Sequence, residues 1–278
     1  MPSELVSPPH LLSIVITVRN EEAHLAALLE SLLKQEPPFE IVLVDALSTD
    51  RTFAIAEEYA AKHPEVLRLF QAAGKRGAGR NYGARQARGE WLVFTDGDCV
   101  ADSRWLPSLR AGMGSASVVA GKTVTIGNPS YVNLERVELY QQDMDVTYPS
   151  CNLAYRKDLF VRLGGFDDRF VTAEDIDLNL RAVRAGATLR SCPEAIVYHA
   201  TRANPLQFFT QAFWNGWGRK QLTEKHGSLW SRYRYKRMFI AQHTPTAYVR
   251  MVAALTGYFM RLVTASGSRE RIRPDRSE

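Results

Sequence analysis

Cysteine is scarce, with three in 278 residues at positions 99, 151 and 192, and no two form a CxxC pair. An odd, widely spaced set argues against a disulfide framework or a zinc knuckle and points to a reducing compartment. The 18 glycines and 13 prolines are scattered rather than clustered, which excludes collagen-like and long disordered chains. The start, MPSELVSPPHLL, has neither the basic residues nor the apolar run of a secretory signal, so the expectation is a cytosolic protein. Long uncharged apolar runs are missing too: the best, residues 248–263, contains Arg250 and Arg261 and is too short and too charged to span a bilayer. No GxGxxG follows the first strand-like run, which counts against a dinucleotide oxidoreductase. Nor does a glycine-rich phosphate loop, which weakens the nearest enzymatic alternative, a nucleotidyltransferase.

What is present suits one large globular domain or two small ones, with 45% hydrophobic and 23% charged residues. The net charge of +5 hides an asymmetry. Residues 1–200 carry 21 Lys and Arg against 26 Asp and Glu, a balance of −5, whereas residues 201–278 carry 14 against 4, a balance of +10. The basic end suggests phosphate-rich partners such as anionic lipid headgroups or nucleic acid, against the plainer reading of a solvated helix surface.

Short β-branched runs alternate with longer helical patterns, the signature of βαβ units and a mainly parallel sheet. Residues 13–18, 40–45, 66–70 and 91–96 read as strands. Helices are expected over 21–34, with Leu25, Leu28, Leu29, Leu32 and Leu33 on one face, and over 51–62, capped by oxygens of Ser48, Thr49 and Asp50. Residues 74–90 read as a glycine-rich loop leading into a short helix. Later strands are expected at 117–126 and 151–155, with a helix at 131–144 and another at 174–185 ended by Gly186. Two short strands broken by Pro193 are expected over 187–199. Helices over 205–226 and 248–263 follow. In the last, Arg250 and Arg261 share one face, while Met251, Leu255, Tyr258, Phe259 and Leu262 occupy another.

Asp96-Gly97-Asp98 directly follows a strongly apolar strand, so its carboxylates belong at the carboxyl edge of the sheet, where open α/β sheets bind ligands. Hard divalent cations take oxygen ligands and usually keep substrate phosphates in the shell, which this pair could support. An isolated DGD is equally an acidic turn. Yet Asp45 also ends an apolar strand, Glu174 and Asp175 open a helix, and His199 ends another strand, so polar groups recur at element boundaries where sites are built. With GKRGAGRNYG, the pieces TVRNEEAHL, VDALSTDRT, GRNYGARQARGEWLVFTDGDC and LGGFDDRFVTAEDIDLNLRAVRAG run in order across residues 13–200. Together they resemble the family 2 glycosyltransferases of the GT-A fold.

That resemblance implies an α/β GT-A fold with a mainly parallel central sheet flanked by helices, and here a C-terminal helical extension. It implies an inverting transfer of sugar from a nucleotide-diphosphate donor of UDP or GDP type, with a divalent metal, Mg2+ or Mn2+. Thr17, Arg19, Asn20, Glu21, Asp45, Arg80, Asn81, Asp96 and Gly97 then lie against the nucleotide sugar. Asp98 is the principal metal ligand, with Asp96 and His199 beside it. Asp175, with Glu174, supplies the catalytic base, because a sugar hydroxyl is a poor nucleophile until a carboxylate takes its proton. The plainer reading of Glu174, Asp175 and Asp177 is complementation of the positive end of their helix. A carboxylate at 45 can accept an N–H from a uracil or guanine edge, although Ala46 and Leu47 stand where the family often has Asp and Gly. Lys75 and Arg76 join Arg80 in a segment suited to a diphosphate.

Residues 1–204 are expected to form the catalytic domain, and 205–278 a basic, aromatic-rich extension facing the acceptor or a membrane. Trp214, Trp217, Arg219 and Lys220 are acceptor candidates, since aromatic faces pack on sugar faces; helix packing is the alternative. The expected partners are a glycan or lipid-linked acceptor and an anionic membrane surface on the cytoplasmic side, with a homodimer left open. No nucleic acid is expected, because a non-enzymatic nucleic-acid binder explains the basic end but not the acidic sheet edge.

Overall fold

The computed structural model describes residues 10–127, 136–200, 204–234 and 244–265. Residues 131–135 of an expected helix, and the basic side chains Lys236, Arg237, Arg269, Arg271 and Arg273, lie outside that set.

Strand β1 (Leu12–Val18), helix α1 (Leu25–Leu33), strand β2 (Phe39–Asp45), helix α2 (Thr52–Lys62) and strand β3 (Leu67–Gln71) form the opening parallel units. Helix α3 (Arg76–Gln86) then carries the chain back, and β4 (Trp91–Asp96) pairs with the free side of β1, level enough that Thr17 lies opposite Asp96. The chain therefore reverses its direction of travel across the sheet at β1 and β4, and a crevice opens beyond their carboxyl ends. After β5 (Cys99–Ala101), α4 (Trp105–Met113) and β6 (Val118–Ile126) comes a two-residue-per-strand hairpin, β7 (Tyr140–Gln141) and β8 (Met144–Asp145). Then follow β9 (Leu153–Arg156), α5 (Lys157–Arg162), α6 (Glu174–Arg184), β10 (Leu189–Ala200), α7 (Pro205–His226) and α8 (Pro245–Ala265). The main sheet runs β3-β2-β1-β4-β9-β6-β10-β5. Among the described residues of this sheet, the pairings of β9 with β4 and β6, and of β5 with β10, are antiparallel and the rest parallel.

Alternation along the strands builds two cores. Ile14, Ile16 and Val93 face Leu25, Leu28 and Leu106, while Val15, Leu92 and Phe94 face Phe160, Phe166 and Leu178 on the other side.

Five expectations change. The glycine-rich segment is helix almost from its start, and its glycines serve the sheet rather than a loop. A Cβ on Gly79 would sit 2.5 Å from Thr17 Cγ2, and one on Gly83 2.6 Å from Val15 Cγ1, so only glycine lets α3 lie this close to β1. Residues 136–144 are not helical: Gln142 and Asp143 take φ of 49° and 60°, the left-handed pair of a tight hairpin turn. Residues 187–199 hold one strand, not two, because Pro193 sits at a register shift between Cys192 and Ile196 that absorbs it. The first helix begins at Leu25 rather than Glu21, whose N–H is taken by Thr52 Oγ1 at 2.7 Å. Of the three capping candidates before α2, Asp50 alone reaches its first turn, accepting from Thr52 N at 3.0 Å, while Ser48 and Thr49 face Asn20.

Candidate active site

The loops after β1 and β2 are stitched together. Asn20, in a left-handed conformation at φ 57°, donates its N–H to Ser48 Oγ at 3.0 Å and accepts from Thr49 N at 2.8 Å. Glu22 Oε2 accepts from Arg51 N at 2.9 Å. Asp45 is fully buried, with its carboxylate taking Ser48 N at 3.1 Å, Ser48 Oγ at 2.5 Å and Gln71 Nε2 at 3.1 Å. Both of its oxygens are thus engaged within the chain, and Leu47 rides above it at φ 56°, half exposed.

Arg80 is the hub beneath the crevice. Its guanidinium is buried between two carboxylates, donating from Nη2 to Asp96 Oδ1 at 2.5 Å and from Nη1 to Glu174 Oε1 at 2.9 Å. Burial by itself would raise the Asp96 carboxyl, but the Arg80 charge, with Arg76 and His199, outweighs it and holds Asp96 at about 2. Thr17 Oγ1 and Arg80 Nε are buried without hydrogen-bond partners among the described residues. Asn81 closes the other side: its amide donates to Phe166 O at 2.7 Å and accepts from Phe166 N at 2.8 Å. Gly165 is required there, since a Cβ would lie 2.5 Å from Asn81 Oδ1.

Strand β5 folds back on β10 so that His199 pairs in register with Cys99, next to Asp98. His199 Nε2 lies 3.4 Å from Asp98 Oδ1, and ligand atoms of Asp98, Cys99 and His199 fall within 4.8 Å of one another. A hydrogen bond with the Cys151 thiol, then burial, push the Cys99 thiol far up, so it stays protonated and a poor partner for a hard cation. Burial, followed by the fields of Asp98 and Asp96, raises Glu21. Negative charge is therefore concentrated at this edge, and the donor set of carboxylate oxygen and imidazole nitrogen fits a divalent cation. Gly97 permits the crowding: a Cβ would meet Val18 Cγ1 at 2.8 Å and Glu21 Cγ at 3.0 Å.

Asp175 is the second residue of α6, which follows Ala173, whose φ of 67° turns the chain into the helix. Its carboxylate accepts from Ser150 N at 3.1 Å and from Ile176 N at 2.8 Å. Burial first, and the neighbouring Glu174 second, raise it to about 6, against the opposing effects of Ser150 N–H and Arg80. A carboxyl tuned there suits general-base work near neutrality.

Helix α7 holds the loop that leads into α6. Val171 N donates to Gln221 Oε1 at 3.2 Å and Thr172 Oγ1 to Trp214 O at 2.8 Å. The Lys225 ammonium bridges Asp167 and Asp177, each at 2.9 Å, and His226 Nε2 meets Asp177 Oδ1 at 2.7 Å.

The family profile described as glycosyl transferase family 2 matches residues 13–164, more than half of the chain. The chain belongs to this family. A second profile, glycosyl transferase family group 2, matches residues 138–268. Among sequence relatives, the uncharacterized glycosyltransferase EpsJ of Bacillus subtilis is 27% identical over 215 residues, 70% of this chain and 62% of EpsJ. A match of 90 residues at 40% identity to the poly(ribitol-phosphate) β-N-acetylglucosaminyltransferase TarS of Staphylococcus aureus covers 31% of this chain and 16% of that protein. The chain thus spans less than two thirds of the length of these relatives. Among solved structures, the mannosyltransferase PcManGT of Pyrobaculum calidifontis, in complex with GDP-Man and Mn2+, superposes with a TM-score of 0.65 at 18% identity, over 94% of this chain and 76% of that one. These likenesses show the GT-A fold.

In this family 2 chain, the crevice gathers Thr17, Glu21, Arg80, Asp96, Gly97, Asp98, Glu174, Asp175 and His199 around the ends of β1, β4 and β10 and the start of α6. Arg19 is exposed beside it. The acceptor candidates are divided. Trp214 is partly exposed, and its backbone contacts the loop before Glu174. Trp217 lies under Arg261, Lys220 stands over Tyr258, and Arg219 donates to Val137 O at 3.1 Å. Sequence reasoning missed Gln71, Ser150 and the Lys225–Asp177–His226 cluster, because each partner lies far along the chain and leaves no local spacing signal. Lys225→Met is expected to destabilise the protein by about 3 kcal/mol, since it leaves Asp167 without its buried partner and removes one of the three side chains, Arg181, Lys225 and His226, that meet Asp177. Urea unfolding checks this, and a stability equal to the wild type would show that α7 is anchored by its apolar contacts alone.

Proposed function

We propose that this protein is an inverting, metal-dependent glycosyltransferase that moves a sugar from a UDP- or GDP-type donor to a hydroxyl or phosphate of a glycan or lipid-linked acceptor. The observation that carries the reading is the juxtaposition, at one sheet edge, of a cation-fitting set around Asp98 and His199 and a carboxyl raised to about 6 at Asp175. Solved neighbours whose complexes hold GDP-Man with Mn2+, or UDP-GlcNAc, support a nucleotide-sugar donor. Residues 1–204 form the catalytic domain in this reading, with 205–278 as an extension that reaches the acceptor side at the cytoplasmic face of a membrane.

Asp98 and His199 would hold Mg2+ or Mn2+, which when bound neutralises the departing diphosphate. Arg76, exposed at the start of α3 and close enough to act on Asp96, is placed to hold phosphate charge. Arg80 does not touch the donor in this reading; it keeps Asp96 ionised and Glu174 in place. Asp175 takes the proton of the acceptor hydroxyl as its oxygen bonds to the anomeric carbon and the bond from that carbon to the diphosphate breaks, which inverts the centre. Ser150 N–H and Ile176 N–H fix the orientation of the base.

Asp98→Asn is expected to weaken nucleotide-diphosphate binding and to remove its dependence on Mn2+ or Mg2+ without loss of fold, because the side chain is partly exposed at the sheet edge. Titration calorimetry with UDP and GDP, with and without metal, reads this out; unchanged affinity and metal dependence would take Asp98 out of the site. Product NMR should show the anomeric configuration opposite to the donor's, and retention would refute the inverting mechanism.

A further inference from the structure

Helix α8 is turned opposite to an ordinary surface helix. Among the described residues, 8 of the 16 large apolar side chains left exposed lie on this one element. Val249, Val252, Leu255, Phe259, Met260 and Val263 form a continuous stripe at helical spacing, from 42% to 72% exposed. The inward face is small and charged instead. Ala253 and Gly257 are buried against α7, and the backbones touch: a Cβ on Gly257 would lie 1.9 Å from Phe213 O, and one on Gly216 1.7 Å from Ala254 O. Arg261, 5% exposed, donates to Glu224 Oε2 at 3.1 Å and stands over the Trp217 ring at 5.4 Å. The arginines expected on one face are there, but that face packs inward and the apolar one looks out. Among the described residues, that apolar face is left exposed.

We infer that α8 lies in the plane of a bilayer, its apolar stripe seated among the acyl chains just below anionic headgroups. Two observations select lipid over a second copy of the chain. Residues 201–278 carry +10, 14 basic against 4 acidic, so two copies meeting through this region would oppose like charges, whereas an anionic surface attracts them. The stripe is also flanked by interfacial chemistry: exposed Trp230 packs on Tyr258 of α8 at 5.7 Å and is followed by exposed Arg232 and Arg234. No described helix is long and apolar enough to cross a membrane, which leaves in-plane seating as the way to bury the stripe. Because α7, locked to α8, also holds the loop before Glu174, this docking ties the crevice to the bilayer surface. That consequence for a lipid-linked acceptor rests on the transferase reading; the lipid binding itself does not.

Flotation of the full chain tests the inference, using vesicles of phosphatidylcholine with and without a quarter of phosphatidylglycerol, at low and high salt. The protein is expected to float with the anionic vesicles at low salt and to release as salt rises. Val252→Ser combined with Phe259→Ser should lower the bound fraction at least ~10-fold, with circular dichroism and nucleotide-diphosphate affinity unchanged; serine is used because it removes apolar area without adding charge. A wild-type chain that stays in the soluble fraction with anionic vesicles at low salt overturns the inference. So does a double variant that floats like the wild type. So does a wild-type dimer, seen by light scattering, that the double variant converts to a monomer while neither floats. Flotation without any nucleotide-diphosphate binding would instead leave the lipid surface standing and remove the transferase reading.

Discussion

Asp175→Asn is expected to lower kcat by roughly 10²- to 10⁴-fold while leaving donor binding intact, because a general base acts on the acceptor proton and does not hold the nucleotide. The wild-type rate should fall as pH drops through about 6, since burial and Glu174 raise the Asp175 carboxyl to that value and only its ionised form accepts a proton. The stability effect has the opposite sense from that of a salt-bridged carboxylate. A carboxyl raised in the folded state favours folding most at low pH, below its unfolded value of 3.8, and that contribution is lost as pH rises through about 6. Asp175→Asn, which cannot ionise, should therefore unfold at an equal or higher temperature than the wild type at pH 8. Its amide oxygen can still accept from Ser150 N. Pre-steady-state rates across pH 5 to 8 and thermal unfolding at both ends check the pair of expectations. Near-normal turnover would return Asp175 to the role of helix-start carboxylate.

Arg80→Met should be the most destabilising single change in the crevice, by about 3–5 kcal/mol, because it strands two carboxylates that lose their shared buried partner. Methionine fills much of the same volume, so the loss reports charge rather than a cavity. The acid limb carries a second signature. Asp96 is held at about 2, below its unfolded 3.8, so its stabilising contribution is present above pH 4 and lost as pH falls towards 2. Without Arg80 that contribution disappears and burial alone would raise Asp96, so the variant's deficit should be largest near neutrality and shrink as pH falls towards 2. Arg80→Lys should recover only part of the loss, because one ammonium on a shorter reach cannot fork between Asp96 and Glu174. Equilibrium urea unfolding at pH 7 and a circular-dichroism acid titration measure both effects. A loss below about 1 kcal/mol would place the two ion pairs in the class of exposed bridges.

The arginine shows how the site was partly legible. The RN dipeptide at 80–81 marks a functional segment by resemblance, yet its two members turn out to hold carboxylates and a loop inside the chain. Nothing local announces that Arg80 is buried, since burial depends on α3 lying against β1 through Gly79 and Gly83. Asp45 behaves alike: the strand end it occupies was readable, while its engagement by Ser48 and Gln71 was not.

The order of strands and helices through the opening units is legible along the chain, because β-branched runs and leucine periodicity are written in consecutive residues. The family is legible there too, because the RN segment, the DGD after an apolar strand and the ED at a helix start follow one another in one order. How the pieces meet is set by packing between distant segments. Periodicity states that Arg250 and Arg261 share a face of α8 but not which way that face turns. The glycine contacts with α7 at residues 216 and 257, and the Arg261–Glu224 pair across 37 residues, turn it inward. In the same way, His199 reaches Asp98 because β5 folds back on β10, and Asp175 acquires its raised carboxyl from burial and the charge of Glu174, against the opposing Ser150 N–H. The physical reason is common to all three: solvent exposure and charge environment are properties of surfaces brought together from distant parts of the chain, which the spacing of neighbours along it does not encode.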